Sequence, residues 1–261
     1  MDLDQEEEIA VDDLPNFRFE SAKTFDVEQA AAAAPDSSAT SWDDTVKHYE
    51  MPDVIRSFIV FFHKQVTDRN VYEVHSIYET SFNKLSDRYY KSSVWPPAEA
   101  ISPLVDSDPQ FLLLYKELYY RHIYSKLQPT LEHRIESWRN YCAIFDLLLD
   151  AKTPLALELP NQWLWDMIDE FIYQFQTFWQ YRARPRSRTE DELARLKEMP
   201  ETWSVLKVLH YLQALIDKSH IRAHLRGEPS AVGNPFVASS LYTMLGYFSL
   251  VGLLRVHCLL A

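Results

Sequence analysis

Glycine is nearly missing from this sequence, with 4 residues in 261 against 14 prolines. Tight hairpins and phosphate-cradling loops both lean on glycine, so its scarcity argues against them and for long helices. Cysteine is scarcer still. Cys142 and Cys258, both in apolar surroundings, form no disulfide framework in a chain of this size and read as buried free thiols of a reducing compartment. The opening residues, MDLDQEEEIA, have neither the basic n-region nor the apolar h-region of a secretory signal, and their acidity argues against a mitochondrial presequence. No N-x-S/T sequon occurs, in keeping with a cytoplasmic location.

Catalytic signatures are also lacking. G-x-x-x-x-G-K-[ST], G-x-G-x-x-G and G-x-S-x-G do not occur, which removes the common phosphate cradles and the nucleophile elbow, so no enzymatic activity and no cofactor are expected. His220, His224 and Glu228 stand at i, i+4, i+8, but Ile221 holds the place of the general-base Glu in H-E-x-x-H, and Gly227 should end the helix before Glu228. The pairs Asp146 with Asp150 and Glu132 with Glu136 each share a helical face without a nucleophile beside them, and read as solvated carboxylates.

What the sequence has in excess is acid at one end and apolar residues everywhere else. Residues 1–44 carry 13 Asp/Glu against 2 Lys/Arg, leaving the remainder nearly balanced at 25 against 24. Residues 1–45 therefore read as a disordered acidic tail, and such a tail repels nucleic acid and membrane phosphates. Hydrophobic residues make up 47% and aromatics 14% of the chain, enough for residues 46–261 to fold around a sizeable core.

From His48 onward the apolar spacing is helical. Pro52 is placed for a first helical residue, followed by Val54, Ile55, Phe58, Ile59, Phe62 and Val66 on one face. A second helix is predicted from about Asp68 to the Trp95-Pro96-Pro97 break, and Asp108-Pro109 reads as an N-cap and first turn. Thr130 should cap the next helix, Pro160 precedes the most aromatic one, and Thr189 with Glu192 forms a capping box. A further long helix is predicted from Trp203 to Leu225. Short connections between long amphipathic helices imply antiparallel pairs, so the expected fold is all-α, a degenerate, TPR-like helical-repeat solenoid without a clean 34-residue repeat.

Two features suggest contacts. "YRARPRSR" sets Arg182, Arg184, Arg186 and Arg188 along a Pro-interrupted loop, where they can track a phosphate chain or meet an acidic surface, making an RNA-binding helical module an alternative reading. The run over 236–254 is about as long as the ~20 apolar residues that cross a bilayer. Arg255 and His257 interrupt it, while Gly246, Ser249 and Gly252 suit close helix packing, so a core helix is favoured over a membrane tail anchor. Leu245, Phe248, Leu253 and Leu254 are its candidate exposed interaction face.

Long stretches carry a resemblance: "HYEMPDVIRSFIVFFHKQVTDRNVYEVHSIYETSFNKLSDRYYKSSVWPPAEAI", "FLLLYKELYYRHIYSKLQPTLEHRIESWRNYCAIFDLLL", "LPNQWLWDMIDEFIYQFQTFWQYRARP" and "NPFVASSLYTMLGYFSLVGLLRVHCLL". They resemble the subunit L family of eukaryotic translation initiation factor 3. The resemblance implies a helical-repeat region, followed in longer family members by a PCI module, and hence a chain that stops within the repeats. It further implies a non-catalytic scaffold role in the factor's assembly, in small ribosomal subunit binding and in messenger RNA recruitment, with subunits K and E as neighbours. The family offers no catalytic residue to carry over.

Overall fold

The computed structural model describes residues 51–261, and the acidic tail expected over residues 1–45 lies outside them. Among the described residues there are helices and no strand. The first helix, α1 (Asp53–Thr67), follows Pro52, whose extended ψ of 140° leaves it one residue short of the helix. It buries Val54, Ile55, Phe58, Ile59, Phe62 and Val66, the face that the spacing predicts.

The second predicted helix is built in three pieces. Asn70 caps α2 (Val71–Ser76), a π-helical turn covers Ile77–Ser81, and α3 (Phe82–Tyr89) completes the rod. Val74, Ile77, Tyr78, Phe82 and Leu85 reach the core at the helical spacing, while the widened turn between them is a feature that the spacing does not reveal. Beyond it Trp95 plugs the break: its ring stacks on Phe82 at 4.6 Å and lies 5.9 Å from Phe58, and its Nε1 donates to Ser86 Oγ at 2.9 Å.

A short α4 (Ala98–Ile101) runs into a 3-10 turn, Ser102–Val105, before α5 (Pro109–Lys126). Asp108 caps α5 by accepting from the backbone N–H groups of Gln110 and Phe111 at 2.9 and 3.2 Å. Thr130 caps α6 (Leu131–Asp150), where His133 returns the second bond of the capping box. Next come α7 (Asn161–Arg182), the capped α8 (Glu190–Glu198) and α9 (Val205–Lys218).

The continuous helix predicted from Trp203 to Leu225 is not formed. Trp203 and His220 both have φ of 52°, so α9 ends at Lys218 and a separate α10 (Ile221–Leu225) begins after a left-handed residue. The cause at the start is tertiary. Trp203 is fully buried among Trp138, Tyr141 and Phe171, and its Nε1 donates to the Arg134 carbonyl at 3.0 Å. A short α11 (Pro235–Ala238), capped by Asn234, then leads into α12 (Ser240–Leu260).

Of the long helices, α6, α7, α9 and α12 lie as two antiparallel pairs side by side, while α5 packs on α6, where Asn140 donates to the Leu113 carbonyl and Tyr141 to Glu117. In the first, Arg134, Ser137 and Phe145 of α6 meet Thr177, Gln174 and Phe171 of α7, so the two run in opposite directions. In the second, Gly246 of α12 abuts Ser219 at the end of α9, and Gly252 abuts Leu212 one to two turns earlier. Between the pairs like runs beside like. Phe145 and Asp146 meet Tyr211 while Lys218 binds the Leu149 and Ala151 carbonyls, and on the other side Trp165 meets Phe248 and Ile168 meets Gly252. α7 is the spine of the core, because Phe62 of α1, Tyr78 of the π-turn and Glu117 of α5 also converge on its Trp163.

Candidate interaction surfaces and the buried polar node

Small residues decide how α12 sits. A Cβ on Gly246 would lie 1.9 Å from Ser219 Oγ, and one on Gly252 would lie 2.9 Å from both Ile168 Cγ2 and Ile172 Cδ1. These glycines, with the fully buried Ser249 between them, let the backbone of α12 approach α7 and α9 closely. Leu241, Tyr242, Leu245 and Val256 share that inward face. The helix is long and apolar enough to cross a membrane by length and composition, and here it is packed along one face.

The expected exposed face of Leu245, Phe248, Leu253 and Leu254 therefore needs correction. Leu245 is inside at 1% exposure, Phe248 and Leu253 are partly buried against the core, and Leu254 alone of the four is open, at 66%. At 100° per residue, Leu245 lies on the same side as Gly246, Ser249 and Gly252, whereas Tyr247, Val251, Leu254 and Cys258 occupy the opposite side and are exposed. The three small residues were the signal for this phase. Leu259 and Leu260 return toward the inward face yet remain 44% and 49% exposed. The antiparallel α9 starts only at Val205, with Leu206 itself 78% exposed, so the wall that should cover them runs out. Cys258 is likewise exposed and Cys142 only partly buried, contrary to the expectation that both thiols are buried.

The four arginines of the loop divide into two kinds. Arg182 lies over Trp179 at 5.5 Å, and Arg188 lies over Tyr181 at 3.6 Å, with Arg134 facing the same ring at 4.8 Å. Arg184 and Arg186 are exposed around the short 3-10 turn Pro185–Ser187 and form no ion pair among the described residues. Tyr181 also donates to Glu192, which holds that carboxyl below its ordinary pKa and ties the end of α7 to α8.

Three of the other flagged carboxylates have structural partners. Asp146 accepts from Tyr211 Oη at 3.0 Å, Glu132 pairs with Arg195 at 2.7 Å, and Glu228 pairs with Arg226 at 3.4 Å. His220 is the exposed left-handed residue of the α9–α10 hinge, and His224 is exposed within α10.

A polar cluster that sequence patterning missed lies at the heart of the fold. Glu117 is fully buried, accepting from Trp163 Nε1 at 2.9 Å, Arg121 Nε at 3.1 Å and Tyr141 Oη at 3.2 Å. Arg121 in turn reaches the Tyr78 hydroxyl and Asp166, which Tyr78 also contacts. Burial pushes the Tyr78 and Tyr141 hydroxyls far above their usual range, so both stay protonated donors. The groups spend their bonds on one another and tie α5, α6, α7 and the π-turn together. One signal was available: Glu117 and Arg121 stand at i, i+4 within the otherwise apolar and aromatic "FLLLYKELYYRHI".

Nearby, Ser137 donates to Gln174, and Gln174 Nε2 donates to Glu170 at 3.0 Å. Desolvation pushes the Glu170 carboxyl up to about 7.

Comparison with known proteins identifies the lineage. A family model described as RNA polymerase I-associated factor PAF67 matches residues 133–261. The eukaryotic translation initiation factor 3 subunit L of Nematostella vectensis is 52% identical over 223 residues, covering 84% of this chain and 42% of the relative. The subunit L proteins of Danio rerio and Homo sapiens are 48% and 49% identical, covering 82% and 80% of this chain. The chain thus spans about 42% of the length of the curated relatives it matches. At about half identity across some four-fifths of its residues, the chain is a homologue of eukaryotic translation initiation factor 3 subunit L over about two-fifths of that protein's length.

Proposed function

We propose that the chain acts as a non-catalytic scaffold subunit of cytoplasmic translation initiation factor 3. It supports the factor's assembly and, through the complex, small ribosomal subunit binding and messenger RNA recruitment. The observation that carries this reading is the 48–52% identity to subunit L relatives over most of the chain. Side-by-side helix pairs suit the role, since a stack of pairs presents long ridges to partners and extends into a helical-repeat solenoid. Subunits K and E are the proposed neighbours. Exposed Tyr247, Val251 and Leu254, with the uncovered Leu259 and Leu260, are the proposed apolar contacts in place of Leu245.

The test is purification of the tagged chain from nuclease-treated cytosolic extract. Co-recovery of other initiation factor 3 subunits is expected, and recovery of chaperones alone overturns the reading for this stretch of the family protein.

A second reading rests on Arg184 and Arg186, exposed and without carboxylate partners among the described residues. They supply a direct contact to the phosphates of RNA. Replacing both with Ala should weaken RNA binding and reduce the salt slope by roughly 1 to 2, and an unchanged slope removes this contact.

A further inference from the structure

The loop that carries the arginines also carries two hydroxyls, Ser187 and Thr189. Arg182 and Arg184 stand five and three residues before Ser187, and Arg184 and Arg186 stand five and three before Thr189. Guanidinium groups at those spacings suit a peptide cleft lined with carboxylates, because each arginine pairs bidentately with one acid while the hydroxyl reaches the phosphoryl donor.

The structure separates the two hydroxyls. Thr189 is occupied as the N-cap of α8, its Oγ1 accepting from Glu192 N at 3.2 Å and its own N–H donating to Glu192 Oε2 at 2.9 Å. Ser187 is exposed in a 3-10 turn that buries none of its three residues, and its Oγ makes a single local bond, donating to the Arg184 carbonyl at 3.0 Å. Opening that turn breaks little. Arg184 and Arg186 are free to turn toward a partner, and Arg182 has only to leave the Trp179 ring.

We propose that Ser187 is a phosphorylation site for a basophilic serine/threonine kinase, recognised through Arg182 and Arg184. The γ-phosphoryl group of ATP passes to Ser187 Oγ: the bond from phosphorus to the β,γ-bridging oxygen breaks, the new Oγ–P bond forms, and the hydroxyl proton leaves to the kinase's carboxylate base as ADP departs. The product carries about −1.5 to −2 charge in the midst of four arginines. It cancels about half of their charge and draws Arg184 and Arg186 inward, which masks the loop as an anion contact. This consequence rests on the phosphate-contact reading above, whereas the modification itself does not.

The full chain should be treated with ATP and a kinase that requires arginine at −3 and −5, and the product mapped by mass spectrometry. One phosphate on Ser187 is expected, lost in Ser187→Ala, retained in Thr189→Ala, and slowed at least 10-fold in Arg184→Ala. Absence of incorporation, phosphate placed on Thr189 instead, or modification by an acid-directed kinase alone acting through Glu190 overturns the proposal. Elution from a heparin column reads the consequence separately. The phosphorylated chain should leave at lower salt, and unchanged elution removes the masking and the anion contact while the mapped phosphate still stands.

Discussion

Single residues at the centre of this fold carry opposite burdens. Glu117 is fully buried and saturated with donors from three side chains, so deleting it leaves Trp163 and Tyr141 without an acceptor and Arg121 with only the more distant carboxylate of Asp166. Glu117→Ala should lower stability by about 3 kcal/mol, read as a fall in the urea midpoint, since two buried donors lose their acceptor and the Arg121 guanidinium loses its nearer carboxylate. Glu170 shows the reverse case. Its carboxyl titrates near 7 in the folded chain but near 4.3 when unfolded, so the folded state holds the proton more tightly. That contribution is fully present below the unfolded value and is lost as pH rises toward and through 7. Melting followed from pH 5 to pH 8 should therefore show wild type losing stability relative to Glu170→Gln, by on the order of 2–3 kcal/mol. Parallel pH profiles would refute the assignment. Neither behaviour was legible from spacing, because periodicity marks Glu117 as an i, i+4 partner of Arg121 but does not say which side of α5 is covered.

At the scale of elements, caps and breaks were the most readable. Asp108, Thr130 and Thr189 cap the helices that follow them, since an N-cap is a local bond between a side chain and a backbone two or three residues on. The π-turn at Ile77–Ser81 and the hinge at His220 were not readable, because each is imposed by what packs on it. Ser219 at the hinge is buried against α12, and that contact yields a prediction. Alanine at position 246 is favoured over glycine by roughly 1 kcal/mol in an isolated helix. Here its Cβ would fall 2.6 Å from the Ser219 Cβ, which no rotamer change relieves. Gly246→Ala should therefore destabilise by about 1–2 kcal/mol net in chemical denaturation, as overpacking outweighs propensity. A stabilised variant would show that α12 does not approach α9 this closely.

For the whole molecule, the question is which apolar surface is left for partners. Leu245 and Leu254 differ by nine residues on one helix, yet one is inside and the other outside. Leu245→Asp should unfold the chain or cost about 3 kcal/mol or more, because it buries a charge without a partner. Leu254→Asp should change stability by no more than ~0.5 kcal/mol while weakening co-purification of initiation factor subunits. Equal stability losses in the two variants would mean that both leucines are packed. Equal recovery of partners with Leu254→Asp would move the docking surface elsewhere.

By itself the sequence determined the helical class, the order of the long helices, the caps and the likeness to subunit L, because helix formation and capping are local and half-identity over long stretches is a property of the string. Only the tertiary structure decided that Trp203 leaves its helix, that Glu117 is a buried tie and that Leu245 faces inward. It also decided that two of four arginines are taken by aromatic rings. The reason is common to all of them: a side chain's burial depends on neighbours brought in from distant turns of the chain, and the phase of a nearly uniformly apolar helix such as α12 is set by those neighbours.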